Sequence, residues 1–417
     1  MSINIDSDKN IKSFDWYKLI IISLTTVVTG IYRDGFSAIF PFLQRDFDLS
    51  RSQLGLHSTF FFFSSAIFAI FAGRLVDRKG SKWGLGFGIL FTGLFFLLQS
   101  ILPNFTLILI VSTFTGFAVS INIPSATKSI IEWFPRESRG TALGILSAAL
   151  PTGGMLGAVM LPLLAGLIGW RNAIFFPSAL AISCAFYILY FYQDKKRDND
   201  NHKELELNSI SLLRSINYLI HNIELLSISI FGFFLGATSA SIAAHFALFL
   251  YLDYGLIENV AGIGFAFVQF GSFFGRVGWG IICDKLLKAN KRKTFLYIGI
   301  IFLSLSLILF LFSGHKQPPI VMIFLLSFFI GFSGRGWTGL YLAGAATTVN
   351  ENNVGIATGF SLLFMRLGAM FMPPVVGYIA DLKGAYNLSW FLLGFMMFLT
   401  SLSQYILSIN KKRIRKN

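Results

Sequence analysis

Apolar runs of about 20 residues recur along the whole chain, each closed by a short polar or basic stretch. They lie near 18–42, 53–74, 83–102, 105–133, 141–165 and 172–192, and then near 223–252, 259–283, 294–313, 319–349, 354–380 and 387–409. At 1.5 Å rise per residue, a helix of that length crosses the hydrocarbon core of a bilayer. In hydrocarbon each segment must satisfy its own backbone amides, so these runs predict twelve helices despite their many Phe and Ile residues. The longest polar interruption divides the runs six and six. The pattern therefore predicts an all-α membrane protein with a six-helix half over 1–192, a cytoplasmic linker over 193–222, a second six-helix half over 223–410 and a basic cytoplasmic tail over 411–417.

Composition removes the alternatives to that picture. Hydrophobic residues make up 54% of the chain and charged residues 13%, with a mean hydropathy of +0.68, whereas soluble domains carry about 25% charged residues. The net charge of +14 does not point to nucleic acid, because the bases sit in short loops between apolar runs, where they orient the chain and meet anionic lipid. With the amino terminus inside, 24 Lys and Arg fall on the cytoplasmic side and five, Arg45, Arg51, Arg171, Lys316 and Lys383, on the other. The positive-inside rule then places both termini in the cytoplasm. Residues 1–18 mix Asp6, Asp8 and Asp15 with Lys9 and Lys12, unlike a cleaved leader, so the first span is expected to remain in the mature protein. Two cysteines, Cys184 and Cys283, give neither a disulfide framework nor metal-ligand spacing. No nucleophile, metal cluster or phosphate loop stands out, so neither enzymatic activity nor a cofactor is expected.

One stretch between the second and third runs, Gly73-Arg-Leu-Val-Asp77-Arg78-Lys-Gly80-Ser-Lys82, returns in degraded form as Gly280-Ile-Ile-Cys-Asp284-Lys285. The offset of 207 residues superposes Gly73 on Gly280, Asp77 on Asp284 and Arg78 on Lys285, so the chain is an internal duplication. Duplicated halves of membrane spans are the mark of a transporter with a midplane site. The stretch resembles the signature of the major facilitator superfamily. That resemblance implies the two-halved, twelve-helix fold and a charged gating latch of Asp77 with Arg78 and Lys82, stabilising the outward-facing state. Gly73 is expected to let two helices touch there, and Arg276 is similar to a position associated with the second-half latch at Asp284. Two further segments, Trp133-Phe134-Pro135-Arg-Glu-Ser-Arg139-Gly140-Thr-Ala142-Leu-Gly144 and Gly169-Trp170-Arg171-Asn-Ala173-Ile-Phe175, look like the superfamily's anion:cation symporter branch and its organic-acid carriers. Tyr32-Arg33-Asp34 is similar to the charged pair which that branch keeps in span one.

The charges left inside the spans carry the chemistry, because a charge at bilayer depth is costly. Five bases remain: Arg33, Lys128, Arg276, Arg335 and Arg366. Counted along the helices, Arg335 and Arg366 lie about 20 Å in, near the midplane. Asp34 is the only carboxylate well inside a span, and adjacent helical residues do not face each other, so the pathway is expected to carry a net positive field. Such a cavity suits an anion, and arginine's planar fork matches a carboxylate or phosphate. The 207-residue offset also carries Lys128 onto Arg335, which predicts a pair of bases clamping the anion from the two halves. Tyr32, Asn122 and Gln269 are the candidate hydrogen-bonding groups, and Asp34 and His245 the candidate proton carriers.

The favoured reading is a monomeric secondary transporter of a small organic anion, a carboxylate or sugar acid, in a bacterial inner membrane. Coupling to a proton is expected, with sodium as the alternative. Two other readings stand beside it: an efflux antiporter for drugs or other small molecules, and a non-transporting membrane sensor. Span five lacks the proline and glycine pair that the superfamily's antiporters often show, with Ala158 at the proline position. His57, near the outer end of span two, stands beside His245 as an alternative proton carrier.

Overall fold

The structure, a computed structural model, describes residues 7–194, 221–312, 318–349 and 354–414 of the 417. Most of the predicted linker and the last three residues of the tail lie outside the described residues. In chain order the helices are α1 Ser7–Gly30, α2 Phe40–Phe47, α3 Arg51–Lys79, α4 Ser81–Gln99, α5 Phe105–Trp133, α6 Arg136–Ile168, α7 Trp170–Ala173 and α8 Phe175–Phe191. They continue as α9 Ile223–Leu252, α10 Glu258–Ile281, α11 Lys291–Phe312, α12 Ile320–Arg335, α13 Thr338–Ala346, α14 Val354–Lys383 and α15 Asn387–Ile414. No strand occurs among the described residues. Among the described residues, eleven helices are long and apolar enough to cross a membrane, or twelve with the bent α3 taken as one span. The protein is therefore a multi-pass membrane protein. Its many exposed Leu, Val and Phe side chains, such as Phe71, Leu167 and Val321, face outward as lipid-facing residues do.

Polar caps sharpen the span boundaries. Asn104 Oδ1 accepts from Leu107 N at the start of α5, and Asn222 Oδ1 accepts from Glu224 N and Leu225 N at the start of α9. Each removes orphan amides at a helix end.

Two compact units divide the chain. The first comprises residues 1–42 and 64–197. Its core joins Leu19 and Ile22 of α1, Leu85 of α4, Ala126 and Ile130 of α5, Leu146 of α6 and Ile188 of α8. Helices α1 and α6 approach at backbone distance: a Cβ on Gly153 would stand 1.9 Å from Val27 O, and one on Gly30 would stand 2.2 Å from Leu150 O. Such an approach of two backbones is possible only where neither helix carries a side chain between them.

The second unit comprises 43–63 and 198–417. In it α9 lies on α14, where a Cβ at Gly368 would meet Phe233 O at 1.9 Å, and α10 lies on α12, where one at Gly331 would meet Val268 O at 1.8 Å. The α1·α6 pairing of the first unit and the α9·α14 pairing of the second fall on equivalent spans, as do α4·α8 and α11·α15. The duplication seen in the motif is thus also present in the packing.

Candidate functional site

Span ten is broken where its charge lies. Helix α12 stops at Arg335, a turn through Gly336 and Trp337 follows, and α13 starts at Thr338. A break frees carbonyls that hydrocarbon will not solvate. Three side chains take them: Trp279 Nε1 donates to Phe332 O at 2.8 Å, Trp337 Nε1 to Gly334 O at 2.7 Å, and Ser272 Oγ to Arg335 O at 3.4 Å. The backbone at Arg335 is therefore held from both sides, and its side chain is 95% buried, being 5% exposed. Gln269 lies one turn before Ser272 on α10, buried, with neither amide atom hydrogen-bonded among the described residues. Thr238 and Ser241, on α9, are also buried with hydroxyls that have no partner there. Helices α9, α10 and α12 pack on one another. Buried polar groups are nearly always satisfied, so an amide and two hydroxyls with unused capacity near a buried guanidinium suit a ligand bearing a carboxylate and several hydroxyls. The sequence reading had Arg335 and Gln269 but missed Thr238, Ser241 and both indoles. The signal available was the polar cluster Thr238-Ser-Ala-Ser241 within an apolar run. Arg366 on α14 and Arg276 on α10 are half-buried in the same unit.

Span one is irregular too. After Gly30 the chain runs through a π-helical turn, Ile31–Gly35, and a 3-10 turn, Phe36–Ile39. Single π turns inside helices favour functional positions. Here an expectation is corrected: on this turn Arg33 Nε lies 3.8 Å from Asp34 Oδ1, where helical neighbours were expected not to face each other. Asp34 is 3% exposed. Tyr32 and Asn122 are employed inside the first unit. Tyr32 Oη accepts from Gln99 Nε2 at 3.0 Å, with its ring against Phe36 and Phe96. Asn122 Nδ2 donates to Thr29 Oγ1 at 2.7 Å, and Thr25 Oγ1 donates to Asn122 Oδ1 at 3.4 Å. Both are about 1% exposed and tie helices together, in place of the ligand contact expected of them.

The latch motif is built differently from its sequence reading. Asp77 pairs with Lys128 of α5, Nζ to Oδ1 at 3.2 Å, and the same ammonium donates to Val76 O at 2.8 Å. The predicted base clamp thereby loses Lys128, whose side chain is drawn to the end of α3 instead of standing as the counterpart of Arg335. Arg78 is exposed and Lys82 half-buried. Lys82 contributes its backbone N, which donates to Asp194 Oδ1 at 2.7 Å, while Ser81 Oγ lies 2.7 Å from Glu132 Oε2 and 2.8 Å from Asp194 Oδ1. These carboxylates sit at the amino terminus of α4, where the helix dipole favours negative charge. Gly80 has φ +94°, and a Cβ there would stand 2.2 Å from Asp194 Oδ2, so glycine is required. Gly73 is not held by packing: a Cβ there, or at Gly280, would meet nothing within 4 Å. The helix contact expected at Gly73 is absent because α3 turns open space toward it. Asp284 and Lys285 are exposed on a π-helical turn, Ile282–Leu286.

Apart from His245, a network in the second unit escaped the sequence reading. Asp381 accepts from Arg51 N at 3.0 Å and Ser52 N at 2.9 Å, capping α3. Arg51 donates to Ala380 O at 3.0 Å and Gly384 O at 2.9 Å. His245 is fully buried beside it, with Nε2 2.7 Å from Pro373 O and Nδ1 3.0 Å from Tyr386 Oη. A carbonyl only accepts, so Nε2 carries the proton and the phenol donates to Nδ1. Both ring nitrogens of His245 are committed, Nε2 to Pro373 of α14 and Nδ1 to Tyr386 just before α15, a structural employment where a proton carrier was expected.

Asp253, just beyond α9, accepts from Tyr386 N at 2.7 Å. Burial pushes its carboxyl up from 3.8 to about 6, against the lowering by that amide and by Arg51. The folded protein then holds a proton there that the unfolded chain has released, so stability falls as pH rises from about 4 to about 6, by roughly 2–3 kcal/mol. Thermal unfolding of wild type and Asp253→Asn across pH 4 to 7 measures it. The wild type is expected to lose ground against the variant as pH rises, and parallel curves would refute the assignment.

Comparison with known proteins bears on the whole chain. The family model described as Major Facilitator Superfamily matches residues 22–343 and again 230–416. The hexuronate transporter of Bacillus subtilis (strain 168) is 23% identical over 406 residues, covering 92% of each chain. The probable galactarate/D-glucarate transporter of Escherichia coli (strain K12) is 24% identical over 428 residues, covering 95% of this chain and 94% of its own. Among solved structures, a bacterial homologue of the human lysosomal transporter Spinster, in an inward-facing and occupied conformation, superposes with a TM-score of 0.80 at 16% identity, covering 94% of this chain and 96% of the other.

Proposed function

We propose that this chain, which belongs to the Major Facilitator Superfamily and is a membrane transporter rather than an enzyme, carries a sugar acid by alternating access together with a proton. The observation that carries the substrate class is Arg335, 95% buried at the break in span ten, with Gln269, Thr238 and Ser241 offering unused hydrogen-bonding capacity on the helices it packs against. Arginine takes the carboxylate through its planar fork, and the amide and hydroxyls take the polyol. The names of the relatives, transporters of hexuronate and of galactarate or glucarate, support the same class. An efflux protein for cations would need a carboxylate in that place.

Asp34 is the proposed proton site. It is buried on the π turn, and Arg33 at 3.8 Å ties its charge state to any anion that draws the guanidinium away. Both termini are proposed to be cytoplasmic in a bacterial inner membrane, from the 24-to-5 distribution of bases. Arg366 and Arg33 are proposed as further ligand bases, and Asp77 with Lys128 as the working latch. Reconstitution into proteoliposomes tests the scheme: an inward proton gradient should drive accumulation of labelled glucuronate or glucarate. Asp34→Asn should abolish accumulation yet retain exchange of internal for external substrate. Accumulation by the variant equal to wild type would remove Asp34 from the mechanism. Wild-type protein that moves neither acid would sink the substrate class.

A further inference from the structure

We propose that the cavity at the amino-terminal end of α11 binds a phosphate group, presented by an anionic phospholipid headgroup. The cavity is a wide, open one of about 710 Å³. Lys288, Lys291, Arg292 and Lys293 line it, with Thr347 and Ser408 supplying hydroxyls, and no carboxylate is among its lining residues. Two of the four bases are held by neighbours. Arg292 pairs with Glu224 at 3.5 Å, which offsets part of its charge, and Lys291 Nζ donates to Ala343 O at 2.9 Å. Lys288 and Lys293 complete the positive wall.

The loop that makes the wall is itself shaped with effort. Lys288 and Ala289 both adopt left-handed backbone, at φ 53° and 56°, a region that side-chain-bearing residues avoid and that persists where the surroundings enforce it. Ala289 N is tied to Cys283 O at 2.9 Å and Asn290 N to Leu287 O at 3.0 Å. This conformation turns the chain so that Lys288 stands beside the first turn of α11, whose dipole adds to the attraction for an anion.

Apolar surface next to the cavity selects the lipid as the source. Leu286 is 73% exposed at its rim, and Tyr297 and Ile300 of α11 and Ile406 of α15 are exposed within about three turns of it. A phosphodiester in the basic cavity would leave its acyl chains lying along these side chains. Three further bases, Lys411, Lys412 and Arg413, follow Ser408 by one turn in the sequence. The proposal does not depend on the identity of the transported substrate.

Purified full-length protein in neutral detergent, with dioleoylphosphatidylglycerol, dioleoylphosphatidylcholine or sodium phosphate added separately, gives the test. Two readouts apply: the unfolding temperature, and the acetylation rate of each lysine by an N-hydroxysuccinimide ester followed by mass spectrometry. Phosphatidylglycerol is expected to raise Tm by about 2–4 °C and to slow labelling of Lys288 and Lys293 but not of Lys383. The double variant Lys288→Gln with Lys293→Gln should lose the Tm gain. Protection by sodium phosphate without protection by the lipid would keep the phosphate chemistry and refute the lipid source. Equal effects of the zwitterionic and anionic lipids, or a Tm gain that survives in the double variant, would overturn the site. If the variant does not fold, labelling of the wild type decides.

Discussion

Arg335→Ala is expected to remove the stabilisation that sugar acids give the purified protein, and with it their uptake. At 100 times its dissociation constant a ligand adds about 2.7 kcal/mol to the stability of the protein that binds it. A carboxylate held by a guanidinium fork makes two charge-assisted hydrogen bonds, each contributing about 1.5–3 kcal/mol. Losing both weakens binding by roughly two to four orders of magnitude at about 1.4 kcal/mol per tenfold, so the ligand-dependent shift in unfolding should vanish at the same concentration. The side chain is 5% exposed, and its backbone is held by Ser272 and, one residue on each side, by the carbonyl contacts of Trp337 and the turn at Gly336. The variant should therefore change the ligand site without undoing the break. Arg335→Lys retains the charge but not the fork and is expected to recover only part of the shift. Titration of unfolding temperature with glucuronate, glucarate, neutral sugars and lipophilic cations checks this. Full stabilisation of Arg335→Ala by a sugar acid would show the arginine to be structural, and stabilisation of the wild type by cations alone would turn the reading toward efflux.

Gly153→Val is expected to be the most damaging single substitution in the first unit. Its Cβ would stand 1.9 Å from Val27 O, 2.7 Å from Val27 C and 3.0 Å from Gly30 Cα. All three are backbone atoms, which no rotamer change can move aside, so α1 and α6 would have to separate along their length. Overpacking of a side-chain core costs about 1–3 kcal/mol. A clash with a helix backbone exceeds that range, and a cost of about 3–5 kcal/mol corresponds to a loss of roughly 3–6 °C in Tm for a chain of this length. The damage should reach the proposed proton site as well. Gly35 meets Gly157 on the same seam, at 2.7 Å from the Cβ it lacks, and Arg33 and Asp34 lie between these two contacts. Gly144→Ala is the control, on the same helix but with nothing within 4 Å of the added carbon; it should stay within about 1 kcal/mol of wild type. Equal unfolding temperatures for the two variants would show that the seam between α1 and α6 is looser than its geometry.

The charged positions divide by what fixes them. That Arg335 lies inside a membrane span was legible from the run of apolar residues around it, and the duplication placed Lys128 at the equivalent site. What Lys128 touches was not legible. Its ammonium reaches Asp77 and Val76 O because α5 presents that face to the end of α3, and an offset in sequence says nothing about which face a helix turns. Arg33 and Asp34 show the same limit at shorter range. Whether two neighbours diverge or meet depends on the hydrogen-bond register of one turn, and the π turn at Ile31–Gly35 has no signature in side-chain hydropathy. Tyr32 and Asn122 looked like ligand groups because they are polar in apolar runs, but Gln99, Thr25 and Thr29, on other helices or other turns, already occupy them.

The sequence by itself determined the membrane class, the twelve runs, the duplication and the bases left in hydrocarbon. Each of these follows from the solvent that a segment must face or from the recurrence of a short motif, and both are read along the chain without knowing what packs on what. Only the tertiary structure decided the break at Arg335 with its indole-capped carbonyls, the latch partner of Asp77, the open space at Gly73 and the network around Arg51, Asp253, Asp381 and His245. Those depend on which backbone groups a break leaves unpaired and which side chains from distant helices arrive to pair them. In hydrocarbon every such group must find a partner, and the chain folds until it does.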